Sequence, residues 1–385
     1  MTAVSWSEAA GDWLERNELA GPVLLVDADR AAERARKLRA ELPGVGLYYA
    51  YKCFGHGSVV RALDPWLAGY TVASAQECRE LVTAGIEPGR LLFANPVKIP
   101  DHIAYAERLG VLGYAFQSRD EVDKLARLAP GAQVQCRVRV PDDLNVDGQR
   151  MSAKFGADPA AVPELVAYAQ AVGLQPFGLT FHVGSQSSVP KLWTEAIRIC
   201  STLIDDLRSA GIPLTTLDLG GGLPVDYAEA GDAALESVTA EIRAALDDHL
   251  PAGVDAIAEP GRALVADSAV ILTNVIGRET RDDEEWLYLD TGVFQSLLET
   301  LEFGRLLQRI EPIAPTTEPL TRFTVAGPTC DGDDVLSHDV RLPAGTRTGD
   351  RLMITGAGAY TLAYASDFNG IPRPTVIDLE THKAV

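Results

Sequence analysis

The stretch "LYYAYKCFGH" (47–56) ends an aromatic and aliphatic run with a lysine, Lys52. An amine against apolar walls loses hydration of its charged form, which favours the neutral, nucleophilic state. Taken alone, Lys52 reads more simply as the first polar residue after a strand, pointing into water. Other polar residues fall at comparable places. "FHVGSQ" carries His182, Gly184 and Ser185; "LDLGGGLP" carries Asp218 with Gly220, Gly221 and Gly222; "EPGR" carries Glu259, Gly261 and Arg262. Ser74, Asn95, Gln117 and Arg137 lie at or just beyond the ends of further apolar runs. Each has a plain structural explanation: a satisfied core histidine, a tight turn, a helix-capping carboxylate. Their repetition at the same end of successive runs is what those explanations handle poorly.

The chemistry open to such a set is specific. Backbone N–H groups of a glycine run, unobstructed by side chains, suit a phosphate. In "EPGR" a carboxylate stands three residues before an arginine, so one group can keep a pyridine nitrogen protonated while the other faces a phosphate. With a neutralisable lysine across from them, these are the parts needed to hold pyridoxal phosphate as a Schiff base.

The elements that would position these groups form a regular series. Strand-like runs occur at 23–27, 47–51, 70–74, 91–95, 111–116, 134–140, 177–183, 215–220 and 255–259, with amphipathic helical segments such as "RDEVDKLARLA" between them. Repeated βα units with near-continuous apolar strands imply a parallel sheet covered on both faces. Their number favours a closed (β/α)8 TIM barrel over residues 22–265, with chemistry at the C-terminal strand ends. No GxGxxG follows the first strand, which weighs against a dinucleotide fold. Beyond residue 265, runs such as "AVILTNVIG", "EWLYLD" and "TRFTVAG" are separated by short turns. Residues 266–385, with 1–21, are expected to form an antiparallel β domain. The segment 228–238 reads as a polar excursion or helix start.

Composition narrows the function classes. A net charge of −20 opposes binding to nucleic acid or an anionic membrane. The five cysteines, Cys53, Cys78, Cys136, Cys200 and Cys330, are scattered and form no CxxC pair, so neither a disulfide framework nor a metal site is indicated. With no signal-like N-terminus and no membrane-length apolar segment, a cytoplasmic protein is expected.

In order along the chain, "YAYK" (49–52), "ANPVK" (94–98), "SAKFG" (152–156), "HVGSQ" (182–186), "DLGGGLP" (218–224), "EPGR" (259–262), "GPTCDGDD" (327–334) and "GAGAYT" (356–361) resemble the fold-type III pyridoxal-phosphate decarboxylases of ornithine, lysine and diaminopimelate. The resemblance implies an alanine-racemase-like barrel and a cofactor anchored on Lys52. His182 would stack on the cofactor ring and Glu259 would pair with its nitrogen. Ser185, Gly221, Gly222, Gly261, Arg262 and Tyr360 would surround the phosphate, with Arg137 in the ring's hydrogen-bonding shell. It implies a homodimer with shared active sites: Cys330, a proton donor, and Asp331 would reach the partner's cofactor, and Lys154 and Asp334 would bridge the subunits. Racemases of the same barrel present an arginine to the ring nitrogen, so Glu259 speaks for decarboxylation.

The "CDG" at 330–332 resembles the form found with basic amino acids, in which Asp331 meets a distal ammonium; Glu299 and Glu302 are further candidates for that role. The expected substrate is therefore of the ornithine or lysine type. Thr71 and Thr291 depart from the family pattern, which has aspartate there, and leave room for an atypical substrate. A diaminopimelate enzyme, a racemase and a non-catalytic regulator remain as rival readings.

Overall fold

The structure is a computed structural model and describes residues 5–141, 153–227 and 232–379. Ser152 of the "SAKFG" motif and residues 228–231 of the expected excursion lie outside the described residues. The chain divides into two compact units: one of Arg34–Val225 and Gly231–Ala263, the other of Met1–Glu33, Asp226–Ala230 and Leu264–Val385.

The first unit is a closed barrel of eight parallel strands: β2 (Gly46–Ala50), β3 (Gly69–Val72), β4 (Leu91–Phe93), β5 (Gly113–Phe116), β6 (Gln133–Arg137), β7 (Gln175–Thr180), β8 (Thr216–Asp218) and β9 (Asp255–Ala258), numbered after a strand β1 described below. β2 closes on β9 through Gly46 opposite Ile257 and Leu47 opposite Ala258. Every residue of β3, β4 and β5 is buried, as strands covered on both faces require. Two strand-to-helix turns carry the same start signal. Ser74 Oγ accepts from the Glu77 N–H (3.2 Å) and Ser118 Oγ from the Glu121 N–H (3.3 Å). Such caps satisfy donors that the helices Ala75–Thr83 and Arg119–Leu128 leave open, and fix where each glutamate enters the barrel rim.

The second unit is an eight-stranded sheet. Its path runs β12 (Arg309–Pro312), β15 (Arg351–Thr355), β10 (Ala269–Arg281), β11 (Glu284–Leu289), β13 (Leu320–Ala326), β14 (Val335–Pro343). It is antiparallel apart from two parallel pairings, β11 with β13 and β1 (Val23–Val26) with β16 (Thr375–Asp378). Here one expectation fails: β1 (Val23–Val26), expected to open the barrel, pairs antiparallel with β10 and belongs to this sheet. All four of its residues are buried, so in sequence it looks the same as a barrel strand. Helix Trp6–Arg16, started by a capping box between Ser5 and Glu8, packs Trp6 and Ala10 against Leu25, Val270, Leu272 and Met353. Among the described residues no helix is long and apolar enough to cross a membrane.

Candidate active site

Lys52 lies on the one-turn 3-10 helix Tyr51–Cys53 directly after β2. The turn is pinned on both sides: the Tyr51 hydroxyl donates to Glu80 Oε2 (2.8 Å) and the Ala50 N–H donates to the Pro260 carbonyl (3.0 Å). Lys52 itself is exposed, so the expected burial among apolar walls is corrected. Leu47, Tyr49, Ala50 and Tyr51 are buried, whereas Lys52 on the turn is not. What faces the amine is charge. Glu77, in the first turn of helix Ala75–Thr83, interacts electrostatically with Lys52, and its Oε2 accepts from the Ala73 N–H (2.6 Å). Desolvation pushes the Glu77 carboxyl up, against the opposing pull of that hydrogen bond and of Lys52.

His182 follows β7. Its Nδ1 accepts from the Gly184 N–H (3.0 Å), which puts the proton of the neutral ring on Nε2. Desolvation, then the charges of Arg137 and Lys52, hold the imidazole well below its ordinary range, so it is uncharged at neutral pH. The loop after it is laced to the glycine run. The Ser187 N–H donates to the Gly222 carbonyl (2.8 Å), and the Gln186 amide exchanges two hydrogen bonds with Val225 (3.0 and 2.8 Å). Ser185 and the glycines therefore move as one piece. The glycines themselves are obligatory: at Gly222 (φ +103°) a Cβ would overlap the Gly184 carbonyl, and at Gly221 it would lie 2.8 Å from the Glu259 carbonyl and 3.4 Å from His182 Nε2.

Glu259 follows β9, its N–H donating to the Gly220 carbonyl (2.8 Å). Close beside it Asp218, at the end of β8, is fully buried. Its Oδ2 accepts from Gln135 Nε2 (2.9 Å) and its Oδ1 from the Gly220 N–H (2.9 Å). Desolvation and the neighbouring Glu259 raise the Asp218 carboxyl well above the usual carboxylate range. Burial lowers Arg137, whose guanidinium Glu259 and Asp218 nevertheless attract. Gly261 lets the "EPGR" turn pack on the lysine turn, since a Cβ there would lie 3.1 Å from Cys53 Cβ and 3.2 Å from Ala50 Cβ. Arg262 next to it is buried. One unit thus gathers Lys52, Arg137, His182, Ser185, Gly221, Gly222, Glu259, Gly261 and Arg262 on its barrel. A bare-backbone cradle that any Cβ would fill, an uncharged flat imidazole at its rim, a carboxylate and a lysine fit a phosphorylated pyridine aldehyde.

The other residues to which the resemblance assigns a role, Lys154 apart, lie in the other unit. Cys330 is exposed, and its N–H and thiol both reach Asn369 Oδ1 (3.1 and 3.3 Å). Asp331 is exposed, its Oδ1 accepting from the Asp333 N–H (2.9 Å). Tyr360 has a left-handed backbone (φ 61°) and stacks on Tyr364 at 5.6 Å. Glu299 is buried and Glu302, one turn on in helix Glu299–Phe303, is exposed. Asp334 is 2% exposed and accepts from the Val293 N–H, the Thr329 N–H and the Thr329 hydroxyl (2.8, 2.9 and 2.7 Å), so it braces its own loop. Lys154, in the barrel unit, is exposed with its ammonium 5.0 Å from the Phe155 ring centre. Thr291, one of the two departures, is buried and bonded to Ser296 Oγ (2.9 Å). Sequence reasoning missed Glu77, Gln135 and Asn369. The Ser74-x-x-Glu77 capping signature offered a route to the first; the other two carry no motif.

A second lysine of the barrel contrasts with Lys52. Lys98, after β4, has a fully enclosed side chain whose Nζ contacts Glu121 Oε1 (2.9 Å) and donates to the carbonyls of Asn95 (3.0 Å) and Ala115 (2.5 Å). Burial lowers its pKa from the ordinary 10.5 to about 8.

The fold and this cradle define a pyridoxal-phosphate barrel enzyme. The family described as "Pyridoxal-dependent decarboxylase, pyridoxal binding domain" matches residues 28–266, and the chain belongs to it. A lysine/ornithine decarboxylase of Selenomonas ruminantium is 31% identical over 92% of this chain and 89% of its own. The crystal structure of the Paramecium bursaria Chlorella virus arginine decarboxylase bound to agmatine superposes with a TM-score of 0.90 at 26% identity, covering 97% of this chain and all of that one. An antizyme inhibitor 2 of Xenopus laevis is also similar, 32% identical over 90% of this chain and 78% of its own. The chain is a pyridoxal-phosphate-dependent amino-acid decarboxylase, a carboxy-lyase.

Proposed function

We propose that the substrate is an amino acid with a distal amine, of the ornithine or lysine type, decarboxylated to the corresponding diamine and CO2. The observation that carries this reading is the juxtaposition of Lys52, His182, Arg137, Asp218 and Glu259 on the ends of successive barrel strands. Bound pyridoxal phosphate supplies an electron sink for the pair released as CO2 leaves. Lys52 would hold the cofactor through its amine. Glu77 interacts electrostatically with the lysine. His182, uncharged, would support a face of the ring. Glu259 would hold the ring nitrogen and keep it protonated, since a neutral pyridine is a poorer electron sink. Ser185, Gly221, Gly222, Gly261 and Arg262 would hold the phosphate, and Arg137 would bond at the ring edge.

The active unit in this reading is a cytoplasmic homodimer. Cys330, exposed and tethered to Asn369, supplies the proton to the substrate carbon in the partner's site, and Asp331 meets the distal ammonium there. Lys154 and Asp334 lie at the same interface. A buried carboxylate–ammonium pair discriminates strongly, because a substrate without the amine leaves the carboxylate unpaired. The names of the similar lysine/ornithine and arginine enzymes agree with a basic substrate.

A second reading, a non-catalytic regulator, has the antizyme inhibitor in its favour. Against it, Lys52, His182, Glu259, Arg262, Cys330 and Tyr360 are all present. CO2 release with pyridoxal phosphate, measured across ornithine, lysine, arginine and meso-diaminopimelate with Lys52→Ala as the blank, decides. Release from ornithine or lysine is expected, and Asp331→Ala should abolish the preference. Preference for diaminopimelate, or cofactor binding with no release from any of the four, would sink the assignment.

A further inference from the structure

Gln186, between β7 and the next helix, has no task in the reading above. Its Nε2 donates to the Val225 carbonyl (3.0 Å) and its Oε1 accepts from the Val225 N–H (2.8 Å). An amide carries donor and acceptor side by side, as a backbone residue does, whereas a carboxylate only accepts and an ammonium only donates. One residue on, the Ser187 N–H donates to the Gly222 carbonyl (2.8 Å). Two successive residues after β7 therefore hold the chain after β8 at two points, one on each side of Leu223 and Pro224.

Two further observations mark this clamp. Gln186 has a left-handed backbone (φ 56°), which glycine adopts freely and larger residues rarely adopt. Such a conformation persists where the surroundings over-determine it. Val225 is also the last residue of its stretch in the barrel unit, since Asp226–Ala230 belong to the other. The clamp thus grips the chain where it leaves the barrel. On its inner side the glycine run is already in contact with the segment after β7. A Cβ at Gly220 would overlap the Phe181 carbonyl, and one at Gly222 the Gly184 carbonyl. Contact stops the run from moving inward, and the clamp stops it from lifting away.

We propose that Gln186 is a positioning residue for the cofactor's phosphate: by fixing Val225 it keeps the N–H groups of Gly221 and Gly222 in one cradle with Ser185. The inference rests on Ser185, Gly221 and Gly222 being groups that hold the phosphate. Donors that are already in place bind without the cost of being ordered, so the clamp acts on affinity for the phosphate and not on the aldehyde end.

The test compares pyridoxal phosphate with pyridoxal, the same aldehyde without the phosphate. Each is titrated into the purified whole chain freed of cofactor, and Kd is read from the absorbance of the lysine-bound aldehyde. Gln186→Met keeps the length of the side chain and removes both hydrogen bonds; Gln186→Gly removes them and relieves the backbone as well. Both variants are expected to bind pyridoxal phosphate about tenfold or more weakly, the effect of two ordinary hydrogen bonds, with pyridoxal within about twofold of wild type. Equal weakening of the two ligands overturns the proposal, because it shows a clamp that only holds the fold. A glycine variant that binds pyridoxal phosphate like wild type overturns it too, and that variant, freed of the strained backbone, guards against a methionine variant that folds poorly. Ser185→Ala separates the two layers. Selective loss of pyridoxal phosphate there, with none in the Gln186 variants, keeps the cradle and rejects the clamp. No selective loss in any of the three rejects the cradle, and the clamp with it.

Discussion

Two lysines leave strands of the same barrel, Lys52 after β2 and Lys98 after β4, in opposite surroundings. Lys98 is sealed in, contacts Glu121 and two backbone carbonyls, and has its pKa drawn down to about 8. Lys52 stands exposed on a pinned turn with Glu77 and His182 as its electrostatic neighbours. By perturbation alone Lys98 looks the more reactive amine. Its partners, however, occupy the nitrogen, and its helix-side companion Lys124 also pairs with Glu121 (2.5 Å). A shifted pKa thus marks burial here, and reactivity follows from access and from the groups that line the approach. The lysine that can do chemistry is the one that the fold leaves reachable.

This contrast breaks most readily at Lys52. Lys52→Ala is expected to lower kcat by at least about a thousandfold while leaving the thermal midpoint close to wild type. The absorbance of the lysine-bound cofactor disappears with it; an unchanged spectrum would remove Lys52 from the site. Lys98→Met should do the reverse. Removing Lys98 leaves Glu121 with Lys124 alone and takes the ammonium donor from the Asn95 and Ala115 carbonyls, costing about 3–5 kcal/mol in a urea titration, with kcat per folded molecule retained.

A milder test concerns Glu77. Glu77→Gln keeps the shape and removes the charge facing Lys52, and an effect of about tenfold on kcat/KM is expected. The same change at Glu80, which bonds Tyr51, should act on stability instead. The smallest effect is a pH dependence. Between about 8 and the ordinary 10.5 of lysine, the unfolded chain holds a proton at Lys98 that the folded chain has released. The contribution of this residue to stability therefore rises with pH across that window. Urea midpoints of wild type relative to Lys98→Met should diverge accordingly; parallel curves would show Lys98 to be unshifted. His182, held uncharged, should contribute no inflection to the rate profile near its ordinary range.

What sequence made legible follows the same division between local pattern and tertiary surroundings. Eight of the nine strand-like runs between 23 and 259 coincide with β2 to β9, because apolar runs broken by helical periodicity leave few alternatives. The run at 23–27 did not, since a strand buried on both faces reads alike in a barrel and at the centre of a sheet. The glycines 220–222 were readable as a cradle from residue type alone. The exposure of Lys52 was not, because it depends on a one-turn helix after the strand. Glu77 and Gln135 owe their roles to neighbours distant in sequence, Lys52 and Asp218, and no local pattern announces such pairs.

The placement of β1 bears on how the molecule is made. Val23–Val26 is synthesised before any strand of the barrel, yet its two hydrogen-bonding partners begin at Ala269 and Thr375. During translation this apolar segment must wait, unpaired, while the entire barrel is assembled behind it. Domains emerging from the ribosome fold largely as units, so the barrel closes first and the sheet is completed last, by the final strand among the described residues, β16. Loss of β16 would leave β1 with one open edge, and the resulting fault would appear as aggregation of newly made chains.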